Sequence, residues 1–390
     1  MSAESVLICD NGTGLVKCGF AGDVLPKSVF PCLTGRPILR RIEKGFSKPI
    51  KDIMVGDECV NCREKLQIGY PVRQGVVHDW DDMVRVWEHA FLVNLGADPT
   101  QSKVLLTEPP LNSEANRERM LQIMFEHFGF QGAAVQVQAV LALYAQGLLT
   151  GLVLDSGHGT TYAVPVVEGY VLSHLAARLD LAGRRVTENL LQLLLRGGYA
   201  LNPAADLEAV ARMKESLCYV AADCARELQL ARETTAVSRK YTLPDGQSIR
   251  VESERFMACE PLFRPELLDL ECPGVPELIF NCIQEVDIDN RTAMYQHVLL
   301  TGGSTMLPGF PSRVEKELRQ LYLERILKGD KERQRRSKLR VEDPPQRRHM
   351  AFLGAAVLAD IMQTSREFWV TRADYEEDPR RALLKCCGKR

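Results

Sequence analysis

The chain has 390 residues, 45% of them hydrophobic and 26% charged, with a formal net charge of −2. That length suits two or three domains of roughly 100–200 residues each, and the near-neutral balance gives no global pull toward nucleic acid or an acidic membrane. No apolar run approaches the ~18 residues of a membrane-spanning helix, and residues 1–10 lack the basic start and cleavage site of a secretory signal. The twelve cysteines are scattered. Cys59 and Cys62 form one CxxC without a second pair, which argues against zinc, so reduced thiols in a cytosolic or nuclear protein are expected. Cys386 and Cys387 read as an exposed thiol pair, with palmitoylation as the alternative.

In chain order, Val6, Leu7, Ile8 and Cys9 make a short apolar run that predicts a buried strand. It ends in Asp10-Asn11-Gly12-Thr13-Gly14, and a second strand-like run follows at residues 15–20. Residues 114–128 place Met120, Leu121, Met124, Phe125 and Phe128 on one helical face. Residues 137–149 are apolar enough for a buried helix that runs directly into the next strand. That strand, residues 152–154, ends in Asp155-Ser156-Gly157-His158-Gly159 and is followed by another at 162–167. The echo of strand, Asp-x-Gly-x-Gly turn and strand predicts a duplicated domain, each half opening on its own hairpin.

Further on, residues 297–300 lead into the turn Thr301-Gly302-Gly303-Ser304. Ser312 and Glu315 have capping-box spacing. They predict the start of a helix with a stripe of Val314, Leu318, Leu321, Tyr322 and Ile326, closed by Gly329. Residues 328–340 hold seven Lys or Arg and two acids, which reads as a solvated surface insertion with a partner-binding or nuclear-import patch as the alternative. Pro344 and Pro345 then end any helix.

Glycine turns can aim successive backbone N–H groups at phosphate oxygens, where a Cβ would block the approach. An aspartate beside each turn would repel phosphate unless Mg²⁺, held largely through its waters, lay between them. Two such turns could clamp a triphosphate, with Lys17 reaching it as a point charge. One Asp-x-Gly-x-Gly is usually only a turn; two copies and a third glycine turn favour nucleotide. No GxxxxGK[ST], dinucleotide GxGxxG or GxSxG motif is present. His78, His89, His127, His174, His297 and His349 have no ligand spacing. Trp80, Trp87 and Trp369 are too dispersed for a base-stacking platform, so core or interface use is expected.

These stretches resemble the actin family along essentially the whole chain. Residues 9–14 with 16–19, 106–110, 138–151, 214–220 and 302–306 carry the general likeness. Residues 321–330 with Phe368, Trp369, Thr371 and Arg372 point to the actin-related branch that nucleates filament branches. The resemblance implies the two-lobed α/β fold of actins and sugar kinases: residues 1–144 with 346–390 in one lobe, 145–345 in the other, and hinges near 138–147 and 345–349. It implies ATP or ADP with Mg²⁺, the phosphates held by the backbone of Asn11, Gly12, Thr13 and Gly14 and of Ser156, Gly157, His158 and Gly159, with Lys17 in contact. Asp10, Gln138 and Asp155 would orient the waters of the metal. Lys214, Glu215, Gly302, Gly303, Met306 and Arg348 would line the adenosine. Gln138 would place an attacking water.

Three departures from the family pattern stand out. His158 replaces the second aspartate of the second turn, Tyr162 replaces a histidine near the attacking water, and Leu307 replaces a tyrosine. None removes a main-chain phosphate donor. A phenol with a pKa near ~10 cannot serve that water as imidazole does. Binding with at most slow hydrolysis is therefore expected, as in a divergent paralogue. The implied role is structural and nucleating, in the cytoplasm and cytoskeleton, with actin and other actin-related or complex subunits as partners. The implied end surface includes Tyr144, Gly147 and residues 351–360, with Phe352, Leu353, Val357 and Leu358 as apolar contacts. The basic run would face an acidic partner. The alternatives are a static assembly in a specialised tissue, a phosphotransferase or ATPase on the same fold, or a nuclear chromatin-associated relative.

Overall fold

The apolar run at residues 6–9 forms β1 (Ser5–Asn11) in a computed structural model of the chain, which describes residues 5–38, 52–203, 206–243 and 246–386. The Cys386–Cys387 thiols and the first four residues lie outside the described residues. The chain forms two units, Met1–Leu149 with His349–Arg390, and Thr150–Arg348. It has the mixed α/β content of the actin fold.

In the first unit β1 pairs antiparallel with β2 (Leu15–Phe20), which in turn pairs with β3 (Ser28–Pro31). On its other side β1 runs parallel to β4 (Ser102–Glu108), and β4 parallel to β5 (Gly132–Val137). Val370–Thr371 completes a six-stranded sheet. Successive side chains alternate between faces. Leu7, Cys9, Val104 and Leu106 pack with Met83, Trp87, Phe91 and Met124, while Val6, Ile8 and Leu105 pack with Leu141, Phe352 and Trp369. Both faces are covered, which is why the strands read as nearly unbroken apolar runs.

Helices carry this cover, among them Met350–Ile361, which bears Phe352. In α1 (Trp80–Glu88) Asp79 caps the first turn, accepting from the Asp82 N–H at 3.0 Å. In α2 (Glu114–Gln122), continued by a π-helical turn at Ile123–His127, the expected face of Met120, Leu121, Met124, Phe125 and Phe128 is buried. The expected long helix at 137–149 is shorter: α3 spans Gln138–Ala145. Gly147 turns left-handed at φ +70°, and the Leu148 N–H closes back on Leu143 O at 3.0 Å, so a cap separates this helix from the next strand.

The second unit repeats the opening arrangement. β6 (Gly151–Ser156) pairs antiparallel with β7 (Thr161–Val167) and parallel with β8 (Val298–Thr301). Tyr170–Val171 and Val341–Glu342 extend the sheet at either edge. Around it pack α4 (Gly183–Arg196), α5 (Leu207–Leu217) and α6 (Phe310–Leu321), with Leu190, Leu194, Met213, Phe310 and Val314 in one core. The echo read from the sequence is thus a repeated hairpin whose first strand has a parallel neighbour.

Three local expectations are corrected. Ser312 caps nothing, because α6 already begins at Phe310, after a left-handed Gly309 (φ +83°) and with a proline in its first turn. Only Val314 and Leu318 of its stripe are fully buried; the π-helical turn at Tyr322–Ile326 rotates Ile326 into solvent. Gly329 does close the segment, its N–H reaching Leu323 O at 2.9 Å. Phe352, expected on an assembly surface, is fully buried against Val6, Ile8 and Leu141. Of the other residues expected there, Val357 is exposed and Leu353 and Leu358 are half-buried; Ile361 joins Val357 on the exposed apolar face of the helix, Met350–Ile361.

The basic run contains a short exposed helix, Lys331–Arg336, capped by Asp330, and buried Leu339 anchors the segment beyond it. Among the described residues no helix is long and apolar enough to cross a membrane.

Candidate functional site

At the C-terminal end of β1, Asp10 is buried and pairs in register with Lys17 across the hairpin. Lys17 Nζ lies 2.7 Å from Asp10 Oδ2. Thr107 Oγ1 donates to Oδ1 at 2.7 Å, and Gln138 Nε2, at the first position of α3, donates to the same oxygen at 3.0 Å. Burial alone would raise the Asp10 pKa. Lys17 and the two other donors outweigh it and hold the carboxyl below its ordinary value.

The turn itself is fixed from outside. Asn11 donates its N–H to Thr107 Oγ1 at 3.1 Å, and its Oδ1 accepts from buried Trp87 Nε1 at 3.0 Å. Thr13 Oγ1 accepts the Gly75 N–H at 2.9 Å. A Cβ on Gly12 would stand 2.5 Å from Leu15 O, so only glycine lets the turn close this tightly.

In the second unit Asp155 lies one residue before the end of β6, opposite Tyr162 on β7 and beside Thr301 on β8. The turn after it is tied down through its carbonyls. Gly157 O accepts the Gly183 N–H at 3.1 Å and Ser304 Oγ at 2.6 Å, and His158 O accepts the Arg184 N–H at 2.8 Å. Gly302 has φ +92°, and a Cβ there would lie 2.3 Å from Ser156 O and 2.5 Å from Asp155 Oδ1. The Gly302 turn is therefore pressed against the Asp155 turn. Gly303 beside it faces open space, and Met306, Glu215 and Arg348 are exposed.

Lys214 is buried, with Nζ donating to Gly183 O and Thr187 Oγ1 at 3.0 Å each. Burial lowers its pKa from the ordinary lysine value. It braces the start of α4, which in turn holds the Gly157 turn.

The family departures have distinct surroundings. Burial foremost, then Lys214 and Arg184, lowers His158 to about 4, so its imidazole is neutral at physiological pH. Tyr162 is buried, with its ring centroid 6.0 Å from the Arg178 guanidinium; burial raises its hydroxyl pKa. A neutral side chain and a phenol that keeps its proton thus stand where the resemblance led one to expect a carboxylate and an imidazole.

The residues fit a phosphate ligand carrying a divalent cation. At Gly303 nothing lies within 4 Å of a Cβ position, and at Gly157 only Thr160 O does, so backbone is left uncovered at both. Asp10 already accepts three protein donors, which favours a water-mediated metal contact over direct chelation. Among the described residues no cluster of three His, Cys, Asp or Glu is placed to hold a metal directly.

Residues 1–387 match the family model for actin. The chain belongs to the actin family. It is 54% identical over 385 residues to "Actin-related protein 2" of Arabidopsis thaliana, covering 99% of each chain. It is likewise 54% identical over 386 residues to the protein of that name from Oryza sativa subsp. japonica, covering 99% of each. With the Acanthamoeba castellanii protein of that name it shares 54% over 384 residues, covering 98% of this chain and 99% of the relative. Actin-family proteins bind ATP or ADP with a divalent cation.

Within this actin-family chain, the sequence reading gave no role to Thr107 or Gly183, expected only core or interface use of Trp87 and only a turn at Ser304; all four hold the two turns. Thr107 lies in one of the stretches that carry the resemblance. Its distance from Asp10 along the chain hides the contact, which only the parallel pairing of β1 and β4 creates.

Proposed function

We propose that this chain binds ATP or ADP with Mg²⁺ and serves as an actin-like subunit that nucleates actin filaments, in the manner of a branch-nucleating complex. The single observation that carries the nucleotide part is the Asp10 constellation: a buried carboxylate held by Lys17, Thr107 and Gln138 beside a glycine turn. Full-length identity to proteins named actin-related protein 2 supports the assembly part, and favours it over the chromatin-associated alternative.

In this reading Asn11, Gly12, Thr13 and Gly14 present backbone N–H groups to the phosphates, as do Ser156, Gly157, His158 and Gly159. Asp10, Gln138 and Asp155 orient metal-bound water. Lys17 shares its charge between Asp10 and a phosphate. Glu215, Gly302, Gly303, Met306 and Arg348 take the adenosine side, with Lys214 bracing it from below. Bound Mg²⁺ supplies charge neutralisation between phosphate and carboxylate. Gln138 is the residue that would position water for hydrolysis. Tyr162 stands in place of the family's histidine and His158 in place of its second carboxylate, so that water lacks its expected partners, the chain's role is structural and turnover is slow at most. The partners are actin and other subunits of the assembly, in the cytoplasm and cytoskeleton.

Calorimetry with Mg²⁺ and with chelator tests the nucleotide part. Affinity that depends on Mg²⁺ and weakens in Asp10→Ala is expected; equal affinity in both buffers contradicts it. Pull-down from native tissue with mass spectrometry tests the assembly part. Actin and branching-complex subunits are expected, and chromatin-remodelling subunits in their place would refute it.

A further inference from the structure

Thr107 and Thr301 occupy matching places in the repeated strand arrangement. Each lies on the parallel neighbour of the hairpin strand, beside the aspartate one residue before that strand's end. Their hydroxyls do different things. Thr107 donates to its aspartate, whereas Thr301 Oγ1 donates to the backbone carbonyl of Arg347 at 2.9 Å. The Gly302 N–H points to the same carbonyl, at 3.3 Å.

The Arg347 side chain returns to the same turn. It is buried, and Nη2 donates to Thr305 O at 3.1 Å while Nη1 donates to Asp343 O and Pro344 O at 3.2 Å each. A carboxylate neighbour, Asp343, is 4.0 Å away. A buried guanidinium compensated mainly by carbonyls carries a desolvation cost that an apolar side chain would avoid. What it gains is geometry: a rigid fork spans two backbone segments, which a lysine cannot do. Backbone and side chain of one residue thus grip the Gly303–Met306 turn and its lead-in from one side. Ser304 Oγ on Gly157 O grips it from the other.

We propose that Arg347 is a positioning residue for the adenosine side of the site, fixing the Gly302-Gly303 backbone where a purine nucleoside can lie against it. Arg347 touches no ligand itself; it acts through the turn. The inference rests on the nucleotide reading above and names the residue that sets the shape of one half of that site.

The test compares wild type with Arg347→Lys, which keeps the charge but not the fork, and with near-isosteric Thr301→Val, which removes one donor to the Arg347 carbonyl. Affinities for Mg-ATP and for Mg-tripolyphosphate, which has no nucleoside, are measured beside ligand-free thermal unfolding. Loss of one or two buried hydrogen bonds predicts Mg-ATP binding weakened about tenfold in both variants, with tripolyphosphate little changed. A purely structural role would lower the melting temperature and weaken both ligands together, which overturns the proposal. So does wild-type ATP affinity in a folded variant. If Arg347→Lys fails to unfold cooperatively, Thr301→Val decides alone. Wild type that binds no Mg-ATP overturns the nucleotide reading as well, whereas wild-type binding with undiminished variants overturns only the clamp.

Discussion

Thr107 donates its hydroxyl to Asp10 Oδ1 at 2.7 Å, from a strand that meets β1 only through parallel pairing. The Thr107 Oγ1 in turn accepts the Asn11 N–H at 3.1 Å, so one side chain sets both the carboxylate and the first residue of the turn. Thr107→Val keeps the shape and removes both bonds, together with the Gln138 Nε2 donation to the same hydroxyl at 3.2 Å. A hydrogen bond to a charged group contributes ~1.5–3 kcal/mol, so Mg-ATP affinity is expected to fall about tenfold or more. Titration calorimetry reads the affinity, and unfolding with chelator present reads the smaller stability loss. Unchanged affinity would mean that Lys17 and Gln138 hold Asp10 without help.

Gly302 gives a sharper test, because its constraint is steric. Its φ of +92° is strained for any side chain, and a Cβ would stand 2.3 Å from Ser156 O. Gly302→Ala is expected to push the Gly302 turn off the Asp155 turn, abolish measurable nucleotide binding and lower the melting temperature. Gly303→Ala is the control, since open space surrounds its Cβ position and little stability should be lost. Equal melting temperatures for both variants would show that the two turns are not pressed together.

What could be read from the sequence follows from the range of each interaction. The two turns were legible because an apolar run, an aspartate and glycines are neighbours in the chain. The residues that hold the turns were not, because Thr107 lies 96 residues from Asn11, Trp87 lies 76 away and Arg347 lies 46 from Thr301. Ser312 misled because capping-box spacing is local and common, while Gly309 and Pro311 had already fixed the helix start. Phe352 misled for another reason: its helix is apolar nearly all round, so periodicity does not say which face is outside.

That correction changes the assembly test. Phe352→Asp places a charge in a sealed core and is expected to unfold the first unit, so it reports nothing about an interface. Val357→Asp and Ile361→Asp lie on the exposed face of the same helix. They are expected to keep the wild-type melting temperature and reduce recovery with assembly partners. Reversing Arg335, Arg336 and Lys338 should weaken incorporation in a salt-dependent way, since exposed charges are screened over ~8–10 Å at physiological ionic strength. Wild-type assembly by both sets of variants would remove the actin-like subunit reading even with nucleotide binding intact.

Hydrolysis turns on Tyr162 and His158. The Tyr162 hydroxyl is buried and keeps its proton, so it cannot accept one from water near neutral pH. Phosphate release by wild type is expected to be at least about tenfold slower than by His158→Asp/Tyr162→His, since a positioned proton acceptor typically contributes ~10²–10⁴-fold. Single-turnover phosphate release, with nucleotide affinity measured in parallel, separates chemistry from binding. A wild-type rate equal to that of the double variant would show that the two departures leave turnover untouched.

His158 also predicts an acid-side signature in stability. Its folded pKa is lowered to about 4, by burial first and then by Lys214 and Arg184. In the unfolded chain the ordinary value near ~6.5 applies. Between these values the unfolded state binds more protons, so stability rises with pH through that window. The contribution is complete above pH ~6.5, is lost as pH falls toward ~4, and changes no further below. After allowance for partial exposure, the expected swing is on the order of 1–2 kcal/mol. Asp10 acts in a lower window: its folded pKa is below the ordinary aspartate value, so its contribution is present above that value and lost as pH falls beneath it. Denaturant unfolding of wild type and His158→Gln, measured from pH 7.5 to pH 4.5 under chelator, isolates the histidine, because glutamine does not titrate. The two stability curves should converge as pH falls, or cross if the glutamine packs well. Parallel curves across the window would show that His158 is solvated enough to titrate normally, and that the turn after Asp155 holds it no more tightly than water does.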